Sequence, residues 1–143
     1  MAASDLVHVI EENHRALDAF VKGDPEPLKK LFSQRDDVTL ANPFGPAVRG
    51  WSLVAETMER AASNYSEGEA TRFDPVAEHV TADLAYTVEV ERFRSKVGGA
   101  DDTSPLALRV TTIFRREDGA WRIVHRHADP ITSPRSAASV LEQ

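Results

Sequence analysis

The sequence predicts an α+β fold, and three observations carry that prediction. Helical periodicity governs the chain to about residue 64, a period-two alternation takes over from residue 71, and the turn signals Ala82-Asp83 and Asp118-Gly119 divide the second half into hairpins. Helices first and a meander of strands second place the helices on one face of a sheet.

Residues 4–22 read as a helix. Ser4 is placed to cap it, Asp5 sets an anion in the first turn, and Gly23 ends it. Leu6, Val9, Ile10, Leu17 and Phe20 form its apolar stripe. Asp24-Pro25 restarts a short helix with Asp24 as N-cap, and Leu28, Leu31 and Phe32 give it a core face. Val38–Ala41 reads as a short strand, broken by the turn chemistry of Asn42-Pro43-Phe44-Gly45-Pro46. Gly50 and Ser52 introduce a third helix to about Asn64, with Leu53, Val54, Met58 and Ala62 inward. Strands are expected near 71–80, 84–97, 106–116 and 120–129, with a longer polar loop from Gly98 to Pro105. The domain is expected to span residues 1–130, followed by a tail over 131–143.

A chain of 143 residues is long enough for one well-filled core. Seventeen basic against 23 acidic residues give a net charge of −6, which opposes a nucleic-acid footprint. The absence of cysteine excludes disulfides and thiol chemistry. No apolar run approaches the ~20 residues that span a bilayer, and Met1–Asp5 lacks a basic flank or apolar stretch. A cytoplasmic location without membrane partners is therefore expected.

Alternation assigns faces. On strand 84–97 it predicts Tyr86, Val88 and Val90 inward, with Thr87, Glu89 and Glu91 on a solvated outer face. On strand 106–116 it predicts Leu108, Val110, Thr112 and Phe114 inward. The last strand has two readings. A two-residue primed turn at Asp118-Gly119 puts Ile123, His125 and His127 on the face of Thr112. A type I turn with a glycine bulge puts Val124, Arg126 and Ala128 there instead, leaving Trp121, Ile123, His125 and His127 outside.

Two segments carry a resemblance. Gly23-Asp24, Leu31-Phe32, Asp36–Gly45 and Arg49-Gly50 resemble the first half of bacterial ketosteroid isomerases and SnoaL-like proteins, and Phe114–His127 is similar to the end of the association domain of calcium/calmodulin-dependent protein kinase II. Both groups share the nuclear transport factor 2-like, or cystatin-like, fold. The resemblance implies a cone-shaped, curved antiparallel sheet with three N-terminal helices on its concave face and a small-molecule pocket between them. It also favours the second register of the last strand, and homodimers are common among such proteins, here through the outer sheet face.

The isomerase mechanism needs a carboxylate base, a tyrosine and a neutral carboxylic acid. The resemblance places these at Asn42, Ala16 and Thr112, so none of the three groups is present and that reaction is not expected. Ligand-binding residues are expected at Asn42, Phe44, Val88, Thr112, Arg126 and Ala128, and no catalytic residue is assigned. Asn42 reads equally well as a ligand contact or as the cap of the turn before Pro43. Arg126 reads as the one strong cation in an apolar pocket, suited to an acidic or carbonyl-bearing hydrophobic molecule, or as a rim ion pair. His125-x-His127-x-Asp129 has metal-capable side chains but no converging further ligand, so no metal and no cofactor is expected. Binding is favoured over two alternatives, an isomerase, dehydratase or hydrolase acting on a hydrophobic carbonyl compound and an oligomerisation module.

Overall fold

The computed structural model describes residues 2–142, with side chains from residue 5 onward. Helix α1 (Ala2–Phe20) begins ahead of Ser4, whose expected cap lies outside the described side chains. It buries Leu6, Val9, Asn13, Ala16 and Leu17 at helical spacing and stops at Gly23, where φ is 97°. The carboxylate of Asp24 accepts the amide of Glu26 at 3.1 Å and helps start α2 (Glu26–Leu31). Strands β1 (Thr39–Ala41) and β2 (Val48–Arg49) bracket the loop of Asn42–Ala47; β2 is too short to leave a pattern in the sequence. In α3 (Trp51–Ala62) the inward stripe is Val54, Met58, Ala61 and Ala62. Leu53 lies one position off that stripe and is 51% exposed, not buried as the pattern predicts.

Four long strands follow: β3 (Tyr65–Val80), β4 (Leu84–Val97), β5 (Ser104–Glu117) and β6 (Ala120–Asp129). The sheet runs β2-β1-β6-β5-β4-β3, with β1 parallel to β6 and every other neighbouring pair antiparallel. β3 starts at Tyr65 rather than near residue 71. Its ladder with β4 slips between Ser66 and Glu69, between Ala70 and Arg72, and between Pro75 and Ala77, which destroys the regular alternation. At the first slip Gly68 lies so close to α1 that a Cβ there would sit 2.1 Å from the carbonyl oxygen of Val21.

The concave face packs on the helices, and β5 presents Leu108, Val110, Thr112 and Phe114 to them as alternation predicts. β4 is the reverse of the prediction. Ala85, Thr87, Glu89, Glu91, Phe93 and Ser95 are buried, whereas Tyr86, Val88 and Val90 face outward. Two partners supplied by distant elements, one imidazole and one guanidinium, decide this. His14 of α1 pairs with Glu89 at 2.8 Å, and Arg126 of β6 pairs with Glu91 at 2.8 Å, so the carboxylates enter the interior compensated.

β6 combines the two predicted registers. Glu117 pairs with Ala120 across a two-residue turn, with Asp118 at φ 51° and Gly119 at φ 83°, as in a primed hairpin. Trp121 and Ile123 are therefore inside, not outside as the bulged register requires. Between Phe114/Ile123 and Ile113/His125 the ladder carries one extra residue, Val124. That bulge restores Arg126 and Ala128 to the interior and sends His125 and His127 to the outer face.

Candidate functional site

A small cavity lies where the three helices meet the sheet. Leu17 and Phe20 of α1, with Val21 in the turn after it, form one wall, and Leu28 of α2 with Met58 and Ala61 of α3 form another. Leu40, Phe93, Leu108 and Ala128 make the sheet side, and Asn42-Pro43-Phe44 covers the opening. Its free volume is about 30 Å³, room for one or two waters. Ligand pockets usually reach ~300–1,000 Å³, so the cone is mostly filled by its own side chains.

The polar side chains lining the cavity are Arg126 and Tyr65, close enough for their charges to interact, and Asn42 at the opening. Nη1 and Nη2 of Arg126 donate to the two carboxylate oxygens of Glu91 at 2.9 and 2.8 Å, a two-point geometry that engages both oxygens. Glu91 is 0% exposed. Burial on its own lowers the pKa of Arg126, but the charge and hydrogen bonds of Glu91 outweigh it and hold the guanidinium above its ordinary value. Tyr65 is pushed up by burial, with Arg126 opposing and Glu91 reinforcing, so its phenol keeps its proton at neutral pH.

The expected binding residues divide. Asn42, Phe44, Arg126 and Ala128 line the cavity. Asn42 Oδ1 also accepts the amide of Phe44 at 2.8 Å, which closes the turn before Pro43. Thr112 is buried on the inner face but forms no part of the cavity wall, and its Oγ1 finds no partner among the described residues. Val88, expected at the pocket, is instead on the convex face, because the whole of β4 is turned over. Arg126 is inside, as expected, yet it is no free cation. Ala16 is buried in α1.

Sequence reasoning missed Tyr65, Glu91 and the His14–Glu89 pair. One signal was available: Glu89 and Glu91 are in phase with Ala85 and Phe93, which suit an interior. His14 stacks on Phe73 at 3.7 Å between ring centres, and Phe73 meets Phe93 edge-on at 6.1 Å. The histidine–carboxylate pair is thus behind the aromatic wall rather than in the cavity. On the outer face, His125 Nδ1 is 2.8 Å from the hydroxyl of Thr39, and His127 is 3.1 Å from Asp129. Burial, reinforced by His127, lowers the pKa of His125.

A family model described as a SnoaL-like domain matches residues 9–132. The chain belongs to the SnoaL-like family. No curated protein matches this SnoaL-like domain. Among solved structures it resembles a nuclear transport factor 2-like superfamily protein from Salmonella enterica serovar Typhimurium, with 22% identity, a TM-score of 0.80 and coverage of 96% of this chain and 98% of that one. A candidate calcium/calmodulin-dependent protein kinase type II association domain from Thiobacillus denitrificans shares 22% identity at a TM-score of 0.66, covering 85% and 91%. A ketosteroid isomerase-like protein from Erwinia carotovora shares 19% at 0.65, covering 81% and 87%. At these identities the likeness establishes the nuclear transport factor 2-like fold of the SnoaL-like domain. No described helix is long and apolar enough to cross a membrane.

Proposed function

We propose that this SnoaL-like domain binds a small, uncharged, largely apolar molecule through a single carbonyl or similar acceptor oxygen. The observation that carries the reading is the mismatch of donors and acceptors at Arg126 and Tyr65 in the cavity. Glu91 is committed to Arg126, leaving the remaining guanidinium N–H groups and the Tyr65 hydroxyl as donors. A neutral acceptor completes that set, whereas a carboxylate adds an uncompensated charge to a buried, already neutral pair. This narrows the acidic or carbonyl-bearing ligand expected from Arg126 to the carbonyl alternative.

Acid–base catalysis finds little support. Among the described residues lining the cavity there is no free carboxylate or imidazole, and Asn42, Ala16 and Thr112 hold the places where an isomerase resemblance asks for reactive groups. Titration with aliphatic 2-alkanones, matched alkanes and matched carboxylates, followed by calorimetry and thermal unfolding, tests the reading. The ketones are expected to bind and to stabilise the fold by about 2.7 kcal/mol at a hundred times Kd. Equal or tighter binding of the carboxylates, or no binding by any ketone, rejects it.

A second copy of the chain is the proposed partner of the outer sheet face. Leu84 and Tyr86 are exposed there, Tyr86 by 41%, and with His79 and Ile113 they line a shallow groove of about 500 Å³. Arg92 and Asp74 bring both signs of charge to the same face, so a two-fold contact can oppose unlike charges. Light scattering is expected to report a dimer that Tyr86→Glu dissociates. A monomer at every concentration tested removes the proposal.

A further inference from the structure

We infer that the Phe44 ring is a gate between the inner cavity and an outer vestibule, and that the ligand is elongated, with its acceptor oxygen at Arg126 and its chain running out past Phe44. The inference rests on the carbonyl-binding reading and adds the shape of the molecule. Phe44, Asn42 and Ala61 line both spaces, so a wall one side chain thick divides them. The vestibule holds about 340 Å³, within the range of small-molecule sites, against about 30 Å³ inside. The inner space alone accommodates little more than the acceptor group itself, so the rest of any ligand has to lie outside the ring.

The wall is the part of the site least held by its surroundings. Phe44 is 49% exposed and rests on Tyr65 at 5.8 Å with the rings tilted by 47°. It belongs to the six-residue connection between β1 and β2, where its amide is tied locally to Asn42 and Pro43 and Pro46 lack amide donors. A Cβ added at the neighbouring Gly45 would meet nothing within 4 Å, so the loop has open space beside it. Rotation of one half-exposed ring thus joins the two spaces without disturbing the core. The far side of the vestibule is polar: Arg60 binds Glu56 at 2.6 Å and Asn64 donates to the Arg60 carbonyl at 3.1 Å. The geometry suits an aliphatic chain with a carbonyl at its inner end and a tolerated polar group at its outer end.

Calorimetric titration with 2-butanone through 2-nonanone tests this on the full chain. Affinity is expected to rise about fourfold per added methylene as the chain fills the vestibule. Phe44→Trp, a larger ring in the same opening, is expected to weaken 2-nonanone at least tenfold and to flatten the length series, whereas Phe44→Ala keeps the series steep. Thermal unfolding of each variant checks that it is folded. If 2-butanone binds and longer ketones bind no better, the gate and vestibule are wrong while the carbonyl site survives. A Phe44→Trp variant that binds 2-nonanone as tightly as the natural protein also overturns the gate. Failure of every ketone, short and long, overturns both.

Discussion

Replacing Arg126 by methionine is expected to destabilise the domain by about 3–5 kcal/mol, because it strands the charge of a fully buried Glu91. Much of that loss is the cost of the orphaned carboxylate rather than the strength of the pair. The double variant Glu91→Leu with Arg126→Met should therefore recover most of it. The two single variants and the double variant form a cycle, read by urea unfolding at pH 7 with a check that the m-value is unchanged. An Arg126→Met protein within about 1 kcal/mol of the natural one would mean that water or a rearrangement relieves Glu91, and the donor-rich cavity floor would lose its basis.

Gly68→Ala is expected to be nearly as damaging for an unrelated reason. The new methyl would lie 2.1 Å from the Val21 carbonyl oxygen and 2.7 Å from Ser95 Oγ, in the seam where Ser95 donates to that same carbonyl at 2.9 Å. Gly68 is not among the residues with positive φ, so the cost is steric and not conformational. Relief requires the end of α1 to move away from the sheet, at about 3 kcal/mol, which lowers Tm by roughly 6–12 °C for a chain of this size. Gly45→Ala is the control, since a Cβ there meets nothing within 4 Å, and it should stay within about 0.5 kcal/mol. A Gly68→Ala protein that melts with the control would show that the α1–β3 contact yields easily.

These two sites show where the sequence was readable and where it was not. The helices, the end-to-end extent of β6 and the inward row of β5 follow from short-range signals: apolar residues at helical spacing, a primed turn and an uninterrupted alternation. β4 failed because either row was acceptable to a local reading. Tyr86, Val88 and Val90 look like a core face, and Glu89 and Glu91 look like a solvated one. What reverses the strand is the pairing of Glu89 with His14, 75 residues away, and of Glu91 with Arg126, 35 residues away. No window along the chain contains both partners. The bulge at Val124 was hidden for a similar reason, since two complete registers were each consistent with the pattern and the molecule uses part of each. Four of the six expected site residues lie together at the cavity, and the ionic partner that changes the meaning of Arg126 was assigned to the wrong face.

The interrupted ladder of β3 bears on how these molecules meet one another. β3 is an outermost strand of the sheet, the kind of free edge that invites a foreign strand to extend it. Three breaks in its pairing, the missing amide of Pro75, and the exposed charges of Glu69, Arg72 and Glu78 leave no long straight run of backbone on which such an addition could zip. Open-ended, fibre-like growth from that edge is discouraged by construction, and association is steered toward contacts that close on themselves.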